Sequence, residues 1–442
     1  ANIYKNRSDS LFNFSPLIDV FDSENKSKDE STKSPWKIGF DELELKNIKA
    51  GYFNQIDSSG VVLNLGSLLV LANSTDVFSS KIDIEMVNLQ KTSLSILVSK
   101  NTTLKKVANN PASEFSEIPF DVDLNEMNLG DIHFDLNSNH GNMMLFVDLK
   151  QAQVKPKNIN LKTFSVEMES LSADQIDVGL QIMPAESTPG GEAGMDLNTQ
   201  AMDENEEKDD FTFGNFPWDF FLNQAEITNV SYKMDLDSED RNTSGMDYRH
   251  MRFSDFDLLA DSIYFNKDRT GAKVKELRGK EISGAELNHV EGKIAMDNQS
   301  IRAINISMST PKSSVKGTAS IGYPSLRGIG KYIEKLEIIS DLHGTFNVNE
   351  ISPFTTVLYH YPLLENLGLI DIKNFKSCGT LDNLTLENCG GSVGVATMFR
   401  ANGSIEGLPS ADFKIDLELD TLLTSASDLK RYLPDTLFPS QI

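Results

Sequence analysis

Cysteine is nearly absent from this chain, with only Cys378 and Cys389 among 442 residues. Two cysteines cannot build a disulfide scaffold, and neither sits in a CxxC pair of the kind that zinc or dithiol chemistry uses. Histidine is also sparse: the six are scattered, with no HExxH and no clustered carboxylates, so no metal set is legible and no metal ligand is named. Basic residues are outnumbered, 41 Lys and Arg against 65 Asp and Glu, for a net charge of 41 − 65 = −24. Sequence-independent nucleic-acid binding depends on cations that neutralise phosphates, so nucleic acid is excluded as a partner. Long apolar runs are missing as well. The longest, Leu68 to Ala72, falls far short of the ~20 residues a membrane-crossing helix needs, and Ala1 does not open a signal-peptide pattern. The chain therefore reads as soluble, or as a piece of a longer protein.

What is present is polar punctuation and a period of two. Residues 1–34 end in a charged stretch without aliphatic residues, Asp22 to Ser34, and read as an N-terminal tether. Residues 183–212 carry Pro189-Gly190-Gly191 and an acidic run, Asp203 to Asp210, and read as a flexible excursion that deletion would leave harmless. These breaks leave two β segments, 35–182 and 213–442. In the second, Phe413, Ile415, Leu417 and Leu419 alternate with charged residues, which places every apolar side chain on one face of a strand. The same alternation occurs at Phe120, Val122 and Leu124; at Ile132, Phe134 and Leu136; and at Leu145, Val147 and Leu149. It recurs at Phe164, Val166 and Met168, at Ile176, Val178 and Leu180, and at Ile304, Ile306 and Met308. Strand follows strand across short Gly, Asn, Asp and Ser breaks, so the fold is all-β and mainly antiparallel with one wet face. Helical spacing is confined to 326–337, 354–367 and 427–433, the last with Ser427 as N-cap and Pro434 as stop.

Two phrases repeat. Pro35-Trp36 opens PWKIGFDELELKNI and Pro217-Trp218 opens PWDFFLNQAEITNV, so that Glu44, Asn47 and Ile48 match Glu226, Asn229 and Val230. Catalytic motifs fail on inspection. Gly390 to Gly394 fits G-x-S-x-G, yet no histidine follows His360, and Asp235 to Glu239 begins an EF-hand loop that lacks its glycine and its final glutamate. No Walker A or dinucleotide fingerprint occurs. The chain is read as a non-enzyme, with no catalytic residue and no cofactor named. Periodicity alone leaves two architectures open: a closed sandwich, or an open curved sheet whose apolar face lines a groove.

Particular residues favour the second. Thr310-Pro311 with Ser313, Ser314 and Gly317; Tyr323, Ser325 and Leu326; Gly407-Leu408-Pro409; and Thr424-Ser425 leading to Asp428 and Leu433-Pro434 resemble the TamB proteins of the Bacteroidetes, in the AsmA-like superfamily. The region of Trp36 is similar more loosely. The resemblance implies an elongated, taco-shaped open sheet in the periplasm, held by an inner-membrane anchor that this chain lacks, and shielding phospholipid acyl chains on their way between membranes. It also implies an outer-membrane β-barrel partner of the TamA or BamA type. Two other readings stand beside the lipid conduit: an assembly factor for outer-membrane barrels, and a closed structural β protein. On the conduit reading Phe120, Val122, Leu124, Phe134, Val147, Val166, Ile304, Phe413, Ile415, Leu417 and Leu419 line one groove, with no charge among them. Cys378 and Cys389 are then a candidate disulfide, since the periplasm permits oxidation.

Overall fold

A computed structural model describes residues 2–5, 40–54, 58–76, 81–98, 121–138, 142–160, 163–182, 218–236, 240–241, 245–324, 333–353, 367–408 and 413–432. Nearly all of this is strand, arranged as open, curved, mostly antiparallel sheet that does not close on itself. Two compact units divide it, the first holding 1–192 with 218–240 and the second starting at Arg241. The acidic stretch 183–212 lies outside the described residues. The strand after it belongs to the first unit, so the second β segment begins at 241 and not at 213.

The first unit contains β1 (Asn2–Lys5), β2 (Glu42–Asn54), β3 (Ser59–Asp76), β4 (Lys81–Val98), β5 (Asp121–Ser138), β6 (Met143–Asn160), β7 (Ser165–Ile182) and β8 (Asp219–Asp235). From β2 to β8 each strand pairs with the next, in parallel at β4–β5 and β7–β8 and antiparallel elsewhere. β1 pairs with β2 in parallel, so part of the expected N-terminal tether is strand: Ile3 and Tyr4 are β-formers.

One line of residues bends this sheet. Asn47, Lys91, Asp131, Gln175 and Asn229 all have φ between 51° and 56°. The registers on either side of them, such as Lys46↔Ser67 and Ile48↔Leu65, put all five on a single line across the strands, with Gly66 and Lys150 filling β3 and β6. A left-handed residue inside a strand turns the chain through a corner. Two successive side chains, such as Lys46 and Asn47, then project to the outside, while Leu45 and Ile48 flank the inside. The five strands share one phrase, with apolar residues four and two positions before the corner and one, three and five after it; Thr92 is the exception. Around Asp131 these are Met127, Leu129, Ile132, Phe134 and Leu136. A flat single layer would leave both faces open. Beside this crease, however, Leu65, Thr92, Ala152, Ala173 and Ala225 are all less than 9% exposed, so the two arms of the sheet shield one another on the apolar side.

The phrase has a header. Trp218 packs edge-on against buried Phe164 at 5.2 Å where β7 and β8 begin side by side, and Asn229 follows Pro217 by twelve residues. The same offset separates Pro35 from Asn47 and Pro119 from Asp131, since 47 − 35 = 131 − 119 = 229 − 217 = 12. The repeat thus has a third copy, begun by Pro119-Phe120.

The second unit is an antiparallel ladder of β9 (Arg252–Phe265), β10 (Arg269–Glu281), β11 (Glu286–Leu287), β12 (His289–Asp297), β13 (Ser300–Ser309), β14 (Ser314–Gly322), β15 (Glu337–Asn347), β16 (Leu369–Thr380), β17 (Asn383–Val393), β18 (Thr397–Glu406) and β19 (Lys414–Leu423). Each pairs with its neighbours in chain order, and short β11 lies beside β10, which also pairs with β12. Register shifts and positive-φ residues interrupt the strands here as well. Gly317 and Gly344, at φ 145° and 136°, admit no side chain, because a Cβ would come within 2.0 Å of the Asp341 and Ser314 carbonyl oxygens. Backbone groups freed at these shifts are held by asparagines. Asn374 Nδ2 donates to the Asn388 carbonyl at 2.8 Å, and Asn388 N donates to Asn402 Oδ1 at 2.7 Å.

The helical expectations fare unevenly. Of 326–337, residues 326–332 lie outside the described set, Ile333–Lys335 form a single 3-10 turn, and Glu337 already begins β15. Of 354–367, all but the last residue lies outside it. The third is present as α1 (Ala426–Tyr432), with the cap corrected: Ser425 Oγ, not Ser427, accepts the Asp428 N–H at 3.1 Å. Asp428, 2% exposed, pins α1 to the β17–β18 turn by accepting from Ala396 N at 2.8 Å, Val395 N at 3.2 Å and Thr397 Oγ1 at 2.9 Å. These donors hold its carboxyl below the usual aspartate range. A depressed pKa contributes stability above the unfolded value of about 4, and that contribution is lost as pH falls through the folded value. Asp428→Ala, or acid, should therefore release α1 and speed amide exchange at Val395 to Thr397 while the β14–β15 amides stay protected.

Candidate functional site

The registers sort the side chains of each unit into two faces. In the first unit Leu45, Leu68, Leu89, Leu129, Ala152, Ala173 and Ile227 stand side by side across seven strands. Four further transverse rows on this face run through Leu43, Ile48, Ala50 and Tyr52. None of the five rows holds a charge, and Thr92 is the one residue outside the apolar and aromatic set. Thr92 spends its hydroxyl proton on the Gln90 carbonyl at 3.1 Å.

The opposite face is wet. One of its rows reads Lys49, Asn64, Ser93, His133, Asp148, Asp177, Ser231. His133 Nδ1 lies 2.6 Å from Asp148 Oδ1, and the Thr228 hydroxyl and Asn229 amide, each at 2.6 Å, hold the Asp174 carboxyl below its ordinary range. Beside the crease, Lys150 does the same for Asp131.

The second unit repeats the division. Met296, Ile301, Ile321, Ile338, Gly379, Leu384, Ile405 and Ile415 form one row, and Val290, Met308, Val315, Gly344, Ile372, Gly391, Phe399 and Leu422 another. Leu384, Leu386 and Cys389 cluster here with Ile338, Phe375 and Ile405. Among the described residues no large side chain is fully buried, as expected of a face without a second layer over it. A polar cleft of about 630 Å³ opens on the other face between Arg302, Ser320, Lys335 and Glu337. The nearby Asp297 carboxylate is already engaged by Gln299 N, Ser300 N and Arg302.

The residues expected to line a groove are distributed as follows. Phe134 and Val147 are direct partners on the apolar face of the first unit. Leu124 stands opposite Ile84 and Val166 opposite Phe220, beyond further register shifts, and Val122 is opposite Ile82 in the backbone ladder. Phe120 lies outside the described residues. Ile415, Leu417 and Leu419 are on the apolar face of β19 but about half exposed, and Phe413 immediately precedes that strand. Ile304 is a correction. Asn305, at φ 52°, resets the alternation, so Ile306 keeps the apolar face while Ile304 stands opposite Lys293 on the wet one. Sequence reasoning missed the rows beside the crease, and the twelve-residue offset from a Pro-aromatic pair was the signal that could have found them.

The cysteines are free. Cys378 pairs with Thr385, four residues along β17 from Cys389, a distance of about 13 Å at ~3.3 Å per residue, and the two thiols occupy opposite faces. No bond can form without moving backbone. Burial raises the Cys389 thiol above its usual range. A maleimide at pH 8 should label Cys378 well before Cys389, and both should react after unfolding without reductant. Ser392, from the G-x-S-x-G match, lies inside β17 between Asp371 and Met398 and forms no nucleophile elbow.

Comparison with protein-family models, with curated proteins and with solved structures finds no match to this chain.

Proposed function

We propose that the apolar faces of the two units hold the acyl chains of phospholipids, and that the protein is a span of a periplasmic bridge, anchored in the inner membrane, that carries lipid between inner and outer membranes. The observation that carries this reading is the run of five adjacent rows in the first unit without a charge, backed by an opposite face whose rows mix charged and polar residues with a few exposed apolar ones such as Val62, Met144 and Phe146. Apolar surface of this extent seldom stays without an occupant. The dimensions suit a lipid tail. From Ile132 to Ser138 is six steps, about 20 Å, and from Asp121 to Leu129 eight steps, about 27 Å. One leaflet of hydrocarbon is about 15 Å deep, so each arm of the bent sheet can cover a tail and leave the headgroup at its rim.

Adjacent positions of one strand supply the test. A photo-crosslinking residue at Phe134 or Val147 should capture phospholipid in cells, whereas the same residue at His133 or Asp148 should not. Capture of protein alone at the apolar positions would overturn the conduit and favour the second reading, an assembly factor. That reading draws on β19, all ten residues of which are exposed and available to a partner strand from an outer-membrane barrel.

A further inference from the structure

Ala303, Ala319, Ser340, Ser377 and Leu386 lie side by side in one row of the second unit, between rows that contain no polar residue at these strands. Ser340 and Ser377 are 9% and 4% exposed, and their hydroxyl oxygens are 2.8 Å apart. Each hydroxyl owns one proton. A pair bonded only to each other uses one of the two, and the second is left without an acceptor. The contrast with Thr92, and with Thr270, whose hydroxyl donates to the Tyr264 carbonyl at 3.0 Å, is that those protons have internal acceptors. An unspent donor on an apolar surface costs free energy unless a ligand supplies the acceptor. The neighbours leave room for one: Ala319 is small, and Gly379, where a Cβ would come within 2.4 Å of the Asn383 carbonyl oxygen, has no side chain. No cation stands in these rows, so a carboxylate or phosphate is not matched. A neutral oxygen is.

We infer that the Ser340–Ser377 pair is a polar subsite that donates one hydrogen bond to the ester carbonyl of an acyl chain lying on this face, an inference that rests on the lipid reading above. The groove would then prefer ester-linked lipids to ether-linked ones of the same headgroup and tail length. Because the pair has one proton to give, either hydroxyl alone suffices once its partner is removed.

The test uses the whole chain and mixed vesicles holding equal amounts of a diester phosphatidylcholine and its diether analogue, with bound lipid quantified by mass spectrometry. The unmodified protein should enrich the diester about 3-fold to 10-fold, the range one net hydrogen bond gives. Ser340→Ala and Ser377→Ala should each retain the enrichment, and the double variant should bind both lipids equally. Equal binding by the unmodified protein, or enrichment that survives in the double variant, overturns the subsite and leaves the conduit standing. Failure to bind either lipid overturns the conduit, and the subsite with it. Loss of enrichment in each single variant would mark a structural role for the pair and also overturn the subsite.

Discussion

Valine placed together at Asn47, Lys91, Asp131, Gln175 and Asn229 is expected to unfold the first sheet, whereas glycine at the same five positions should leave it folded. All five sit at φ between 51° and 56°, where a β-branched side chain crowds its own backbone. The left-handed conformation costs roughly 1–2 kcal/mol per ordinary residue, a cost Lys91 and Gln175 already carry, so the valine set loses about 3–6 kcal/mol at Asn47, Asp131 and Asn229 and adds β-branched crowding at all five, a large share of the stability of a typical domain. Glycine meets no such penalty. It forfeits the Asp131–Lys150 ion pair and the Asn229 bond to Asp174, but Lys150 and Asp131 are exposed and such pairs contribute about 0–1 kcal/mol. Urea unfolding followed by far-UV circular dichroism separates the two sets. Equal midpoints would show that the crease is imposed by packing and not by these five residues.

That crease is also where reading the sequence succeeded and failed. Alternation exposed the arms correctly: Phe134 and Val147 sit opposite one another on the apolar face, and the all-β, mostly antiparallel sheet is what the period of two implied, while its being open is a point on which that period left the closed sandwich standing. It could not expose their continuity. Phe120 to Leu124 and Ile132 to Leu136 read as two strands because the phase of the pattern slips twice between them, once after Leu124 and again at Asp131, with Met127 and Leu129 at the odd positions, and the interruption looks like a loop. In fact Asp121 to Ser138 is one strand with one left-handed residue. The same slip at Asn305 put Ile304 on the wrong face. Asn and Asp visit this conformation readily, but Lys91 and Gln175 carry no such signal, and only their place in the shared phrase marks them. The cysteine pairing failed for a different reason. Separation in sequence says nothing about which face a thiol takes.

Leu129→Glu should abolish lipid capture by the first unit. Leu129 stands between Leu89 and Ala152, one row from the crease, where the arms of the sheet shield each other. A carboxylate there must be desolvated by any tail that lies against it, at a cost of several kcal/mol where water is excluded, which corresponds to at least a hundredfold loss of occupancy. Leu417→Glu should be milder, because Leu417 is already 49% exposed on β19 and its carboxylate can keep its water. Asn128→Glu, on the neighbouring residue and the opposite face, should change capture little. The pH dependence of the Leu129→Glu variant separates lost binding from lost fold. An apolar surround raises a carboxyl's pKa, and below that raised value the side chain is neutral, so capture should return as the pH is lowered toward 5. A misfolded variant would not recover on acidification, and a surface that binds no lipid would give the same signal for all three variants at every pH.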